Sequence, residues 1–466
     1  MTRLLPLAAA ALAAPALAQT PPHDHTMPMP PPADHSQHTT PPPDHAPHQP
    51  APDHQDMDHS QMDHGQMDHG HGDRVVVATT MRPRSALGPY PMTRDASGTA
   101  WQPDAAEHGG VHAMAGDWML MGHAELTGVY SSQGGPRGDD KAFLAGMFMG
   151  SARRSLGESG TLQLRAMLSP DPFMGRSGYP LLLAAGETAD GVDTLVDRQH
   201  PHDLFMELSA SYAHRLSETD SVFVYAGLPG EPAFGPPAFM HRPASQESPE
   251  APITHHWLDS THITFGVVTA GWVHDGFKLE ASRFRGREPD QDRYDIETGD
   301  LDSTAVRVSW NPTHHWSLQA SWADVTSPEQ LEPDVDETKW STSALFTADY
   351  GFGEVAATAA FGRKQRSDGV DLDAWLGEAS WRPAEAWTLF GRAEHVETDE
   401  LGAGHHGPVE TAAKVSLGVI RDWRVSEHVV FGVGALVARN FTDDTLDALY
   451  GGDPWGGMAF VRLKVG

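Results

Sequence analysis

Seven Asp-His pairs stand near the start of the chain: Asp24-His25, Asp34-His35, Asp44-His45, Asp53-His54, Asp58-His59, Asp63-His64 and Asp68-His69. The last three belong to a five-residue repeat, Met-Asp-His-Ser/Gly-Gln, that begins at Met57, Met62 and Met67, its third copy ending in His71. With His23, His38, His48, His71, Met27 and Met29 they give residues 19–72 eleven histidines and five methionines, among twelve prolines and no Lys or Arg. Imidazole and carboxylate bind divalent copper, nickel or zinc, and thioether favours monovalent copper. A segment offering all three suits copper in either oxidation state, with zinc or nickel as alternatives. Single sites on a floppy chain bind weakly because binding must also order the backbone. Many close together raise the effective ligand concentration, which suits buffering. The plainer reading is a spacer with incidental histidines, but eleven in 54 residues speak against it.

A second candidate is Arg198-Gln199-His200-Pro201-His202-Asp203, where His200, His202 and Asp203 supply three ligands if the loop folds suitably. His241, His255-His256, His262 and His405-His406 fall in or beside other expected loops. Hydrogen-bonding loop histidines are the simpler reading at each position. Adjacent side chains on an extended strand leave it on opposite sides. For catalysis, the suggestive neighbours are Ser260 with His262, and Ser209 or Ser211 with His214. No Gly-x-Ser-x-Gly elbow, P-loop or His-Glu-x-x-His occurs, so enzyme activity is not expected.

The Asp-His-x-x-Met repeats, over about residues 53–71, resemble the N-terminal segment of the copper-resistance protein B family of outer-membrane proteins. That resemblance implies copper handling and an outer-membrane address.

The elements that would carry these groups follow from patterning. Residues 1–18 read as a secretory signal, with Arg3, an apolar core from Leu4 to Ala14 and a small-x-small Ala16-Leu17-Ala18 site. Residues 19–72 lack apolar periodicity and cannot offset their ordering entropy, so a disordered tail is expected. Residues 73–116 read as a periplasmic linker or as a segment tucked into a barrel mouth. From 117 to 466 the pattern is strand-like. Around residues 304–325, Val306, Val308 and Trp310 share one face and Trp316, Leu318, Ala320 and Trp322 another, joined through Asn311-Pro312. The unit recurs in sixteen runs, at about 118–130, 142–153, 160–168, 204–214, 220–228, 262–272, 276–285 and 303–311 in the first half. The second half supplies 315–324, 340–350, 353–363, 371–382, 386–397, 411–423, 427–438 and 457–465.

Short connections alternate with long ones, the largest being 170–203 and 229–261, which is the pattern of an outer-membrane barrel with tight periplasmic turns. It puts both termini, and the tail, in the periplasm. The polar faces carry Lys278, Arg307, Lys414, Arg462, Glu207, Glu280, Glu378 and Glu394, which suits a hydrated lumen. The last residues, Val465-Gly466, lack the terminal aromatic usual in such barrels; Phe460 is the nearest. No cysteine is present, and a net charge of -31 argues against a nucleic-acid partner.

The expected fold is therefore all-β, a transmembrane antiparallel up-and-down barrel of about sixteen strands behind a disordered His/Met-rich tail. The expected function is metal tolerance, by sequestration or export of copper bound at the periplasmic tail. A diffusion porin with an incidental tail is the alternative, and an outer-membrane hydrolase ranks third. Expected partners are outer-membrane lipid, transition-metal ions and periplasmic metal-handling proteins.

Overall fold

The structure, a computed structural model, describes residues 84–107, 109–402 and 407–466 of the chain. The signal sequence, the His/Met-rich tail, His108 and His405-His406 lie outside the described residues. The strands are β1 (Val111–Ala115), β2 (Trp118–Gln133), β3 (Asp140–Leu156), β4 (Gly160–Leu168), β5 (Tyr179–Thr188) and β6 (Thr194–Gln199). There follow β7 (Phe205–Arg215), β8 (Asp220–Gly227), β9 (Val267–His274), β10 (Phe277–Phe284), β11 (Ser303–Thr313), β12 (Trp316–Val325) and β13 (Glu337–Tyr350). The wall is completed by β14 (Gly353–Arg366), β15 (Asp371–Ala384), β16 (Trp387–Thr398), β17 (Glu410–Ser426), β18 (Val429–Thr442) and β19 (Trp455–Val465).

Sixteen of these, β2–β4 and β7–β19, pair antiparallel with their neighbours in chain order. The ring closes where β19 meets β2, from Gly456 opposite Gln133 to Val465 opposite Ala124. A closed ring leaves no strand edge, which is what lipid demands of a sheet. The final strand does so although Val465-Gly466 replaces the usual aromatic. Beyond Ala124, β1 takes the place of β19 along β2, with Val111 opposite Gly122 and Ala115 opposite Trp118. The sheet thus begins a few residues before 117.

The walls are inside out relative to a water-soluble protein. In β10, Lys278, Glu280 and Ser282 are buried, while Leu279 between them is 43% exposed. In β19, Arg462 is buried between the exposed Val461 and Leu463. Exposed aromatics form two belts. Trp272, Trp310, Trp316, Trp381, Trp387 and Trp423 lie near the short turns, and Tyr130, Trp340, Trp375 and Trp455 near the loops. An apolar band between aromatic girdles on a closed antiparallel barrel is the surface of an outer-membrane protein, and the chain is located there.

Strand positions follow the sequence reading with one shift. The run expected at 262–272 begins only at Val267, because Ser260–His262 turns as a 3-10 helix and Thr264 bridges Gly230 across the loop. A hairpin of β5 and β6 adds a separate two-stranded sheet inside the long connection after β4.

Candidate functional site in the filled lumen

The eight charged wall residues expected to face water do face the lumen, yet all are buried. Chain folded in from both ends covers them, so the hydrated lumen expected from their charge is corrected. The incoming chain supplies counter-charges to Glu378, Lys414 and Arg462, while Lys278, Glu280, Arg307 and Glu207 pair within the wall beneath it.

From the N-terminal side, residues 84–107, within the stretch read as a linker, enter the barrel. Thr99 Oγ1 donates to Glu280 Oε2 at 2.6 Å and accepts from Arg307 Nη2 at 3.0 Å. The Lys278 ammonium sits 4.9 Å from the Trp101 ring and donates to the Thr99 carbonyl. Arg165 donates to the Gly98 carbonyl at 2.6 Å, and the Ser221 hydroxyl to that of Leu87 at 2.8 Å.

From the other side comes the connection between β8 and β9, which carries the short helix α1 (His255–Leu258). Its Arg242, fully buried, donates to Glu378 through Nε and Nη2 at 2.7 and 2.8 Å, and to Asp259 through Nη1 at 2.6 Å. Arg392 reaches Glu378 at 3.1 Å, the Glu250 carbonyl at 2.9 Å and Ser245 at 2.7 Å. Glu250 pairs with Lys414, and Glu247 with Arg462. Thr254 donates twice to Glu394, at 3.1 and 3.0 Å. Acidic loop meets basic wall across β16, β17 and β19. Buried charges survive only when paired and hydrogen-bonded, so the pairing fixes where the loop sits. Burial pushes the Glu247 carboxyl up, but Arg462 and Lys464 outweigh it and hold it down at about 2.

The loops gather histidines. His200 lies 5.8 Å from His255 and 5.7 Å from His256, ring centre to ring centre; His262 lies 5.2 Å from both His202 and His255. Three rings are steered through Nδ1: His202 by Asp171 at 2.8 Å, His255 by Asp259 at 2.6 Å, and His262 by the Asp259 carbonyl at 2.7 Å. Such steering leaves Nε2 open, as in metal-ligating histidines, and Nε2 of His202 and of His262 is buried without a hydrogen-bond partner. Burial pushes His200, His256 and His262 well below the usual imidazole range, which keeps their lone pairs available.

His200, His202 and Asp203 each turn to a different partner. His200 faces Glu187 at 3.1 Å, His202 faces Asp171, and Asp203 lies 3.3 Å from the Arg293 guanidinium. Arg293 also pairs with Glu187. Among the described residues, the ligands that come within 4.8 Å of one another are His256, Glu288 and Glu329. Sequence reasoning found the first only as one of a plain histidine pair, and missed both glutamates, which sit in unpatterned acidic loops.

Nearby, Met147, Met167 and Met206 are buried around Ile263, with Met149 and Met240 against them. Met167, Met206, His241 and His262 share a cavity of about 10 Å³, about the room of one water. Met147 and Met149 flank the exposed Phe148 on β3 and so face inward. Apolar methionines on an otherwise polar lumen face were the legible signal for this cluster. The serines expected beside His214 separate from it: Ser209 donates to Glu207 at 2.6 Å inside, whereas His214, at odd spacing on the same strand, faces out beside Tyr212.

No protein-family model matches the chain, and no curated protein matches it. Several solved structures follow a similar path. The loop L8 deletion mutant of OmpT from Vibrio cholerae is 9% identical, with 75% of this chain and 99% of that chain covered at a TM-score of 0.45. An anion-selective porin from Comamonas acidovorans is 11% identical, with 74% and 99% covered at 0.44. OmpF of Salmonella typhi, in complex with daunomycin, is 10% identical, with 75% and 98% covered at 0.47.

Proposed function

We propose that the protein is a porin-like channel of the narrow, selective kind, in which the 228–266 connection acts as a plug. One observation carries this reading: Arg242, fully buried within that connection, is clamped by Glu378 of the wall and by Asp259. Sixteen strands enclose enough room for an aqueous pore, and a loop held in it by desolvated ion pairs converts a general pore into a restricted one. Arg242→Ala removes the guanidinium shared by two buried carboxylates, leaving Glu378 to Arg392 and Asp259 to His255, at a cost of up to about 3–5 kcal/mol to the seated plug. In planar bilayers the native protein should show small conductance steps and the variant clearly larger ones, with both retaining the barrel's strand content. Native steps as large as those of an open sixteen-stranded pore, unchanged by the substitution, would defeat the reading.

A second reading concerns cargo. The Asp-His and Met-Asp-His repeats of residues 19–72 support copper as the ion handled, and the imidazoles and thioethers gathered in the lumen have the same ligand preference. On this reading the tail buffers copper beneath the membrane and serves tolerance. Titration of a 19–72 peptide with copper in both oxidation states should give binding tighter than about millimolar, the weak end for extracellular metal modules. Uptake should fall below about pH 6 as the imidazoles protonate. Uptake that is flat from pH 7.5 to 5 would contradict it.

A further inference from the structure

We propose that His256, Glu288 and Glu329 form a site for a divalent first-row transition cation that clasps the plug to two other loops. Each ligand comes from a different long connection: His256 from that between β8 and β9, Glu288 from that between β10 and β11, and Glu329 from that between β12 and β13. His256 Nδ1 lies 3.7 Å from Glu288 Oε2 and 3.9 Å from Glu329 Oε1. Ligands about 2.1 Å from a tetrahedral zinc stand about 3.4 Å apart, so a shift of a few tenths of an ångström brings His256 to ligand spacing from each carboxylate, with the fourth position left to water.

Glu288 supplies the independent observation. Its side chain is 5% exposed and neither carboxylate oxygen receives a well-formed hydrogen bond, although Ser260 stands near enough to act on its charge. The nearby lysines are committed elsewhere: Lys339 pairs with Glu337 at 3.0 Å, and Lys364 reaches Glu337 at 3.6 Å and stacks on Trp257. Two carboxylates facing one imidazole, one of them buried and with no well-formed hydrogen bond, form a ligand set suited to a cation. One imidazole with two carboxylates suits zinc, divalent copper or nickel better than monovalent copper. The His256 ring is also held in place, since a Cβ at Gly186 would stand 2.7 Å from it. The clasp needs no part of the tail, and it rests on the plug reading only for its consequence, a lumen locked while the ion is bound.

The test uses the full chain, refolded in detergent, with zinc chloride as the probe. Equilibrium dialysis should show one zinc fewer per chain in Glu288→Gln/Glu329→Gln than in the native protein, the tail's capacity being common to both. Zinc should raise the native Tm, and this rise should shrink or vanish in the double variant and in His256→Ala. Retained barrel mobility on unboiled gels confirms that the variants fold. Equal stoichiometry with an equal zinc-dependent rise would overturn the site, leaving two carboxyls that share a proton. A lost zinc with bilayer conductance unaffected by zinc would keep the site and remove the plug from its role.

Discussion

Glu247 illustrates how single residues hold the lumen closed. Its folded carboxyl sits at about 2 against an ordinary 4.5, because Arg462 and Lys464 outweigh its burial. A depressed carboxyl contributes stability that is complete above its unfolded value and is lost as pH falls through its folded one. The contribution is about 3 kcal/mol, retained at pH 5 and dissipated between about 4.5 and 2. Bilayer conductance should therefore hold steady from pH 7 to 5 and rise only in that acid window, and Glu247→Gln should show part of the rise at neutral pH. A rise complete by pH 5 would show that other groups seat the plug. Arg242 obeys the same logic from the opposite sign, with Glu378 and Asp259 as the two buried partners.

At the scale of elements, the plug depends on backbone geometry as much as on charge. Gly235 has a φ of +72°, and a Cβ there would stand 1.9 Å from the Leu258 carbonyl. Its amide donates to Ser321 at 2.9 Å and its carbonyl accepts from Arg307 at 3.0 Å, so the turn is tied to two wall strands. Only glycine tolerates that conformation without cost. Gly235→Ala should displace the loop locally, giving larger conductance steps and faster proteolysis within 228–266 while strand content stays native. A variant with native conductance and native protease resistance would show the turn to be dispensable. The alternation within each strand was legible beforehand, because lipid on one side and packed charge on the other impose a period of two. The late start of β9 was not legible. His262 and Thr264 fit a strand by pattern, and only the bridge from Thr264 to Gly230 draws them into the loop.

For the molecule as a whole, the closed ring and its parity of short and long connections set which groups can meet. Both ends of the described wall lie on the short-turn side, where Gly466 comes against Gly110. All the long loops share the opposite mouth, so residues far apart in sequence converge there. His200, His255, His256 and His262 meet for that reason, as do Glu288 and Glu329. The N-terminal segment fills the lumen beside β10 and β11 from the other side. A porin-like wall thus carries two inserts, which meet where the Ala238 amide donates to the Ser97 hydroxyl at 2.8 Å.

Local order alone determined the all-β class, the sixteen wall strands and the inward face of Lys278, Arg307, Lys414, Arg462, Glu207, Glu280, Glu378 and Glu394, because each strand's neighbours in lipid and in the lumen act on every second residue. The Asp-His and Met-Asp-His repeats of residues 19–72, on which the copper proposal rests, are likewise a matter of composition. Tertiary structure decided that the lumen is filled, that residues 84–107 lie within it, and that His256 meets Glu288 and Glu329. Loops carry no period, and their destination is set by which buried wall charges they neutralise, a long-range pairing that no short stretch of sequence contains.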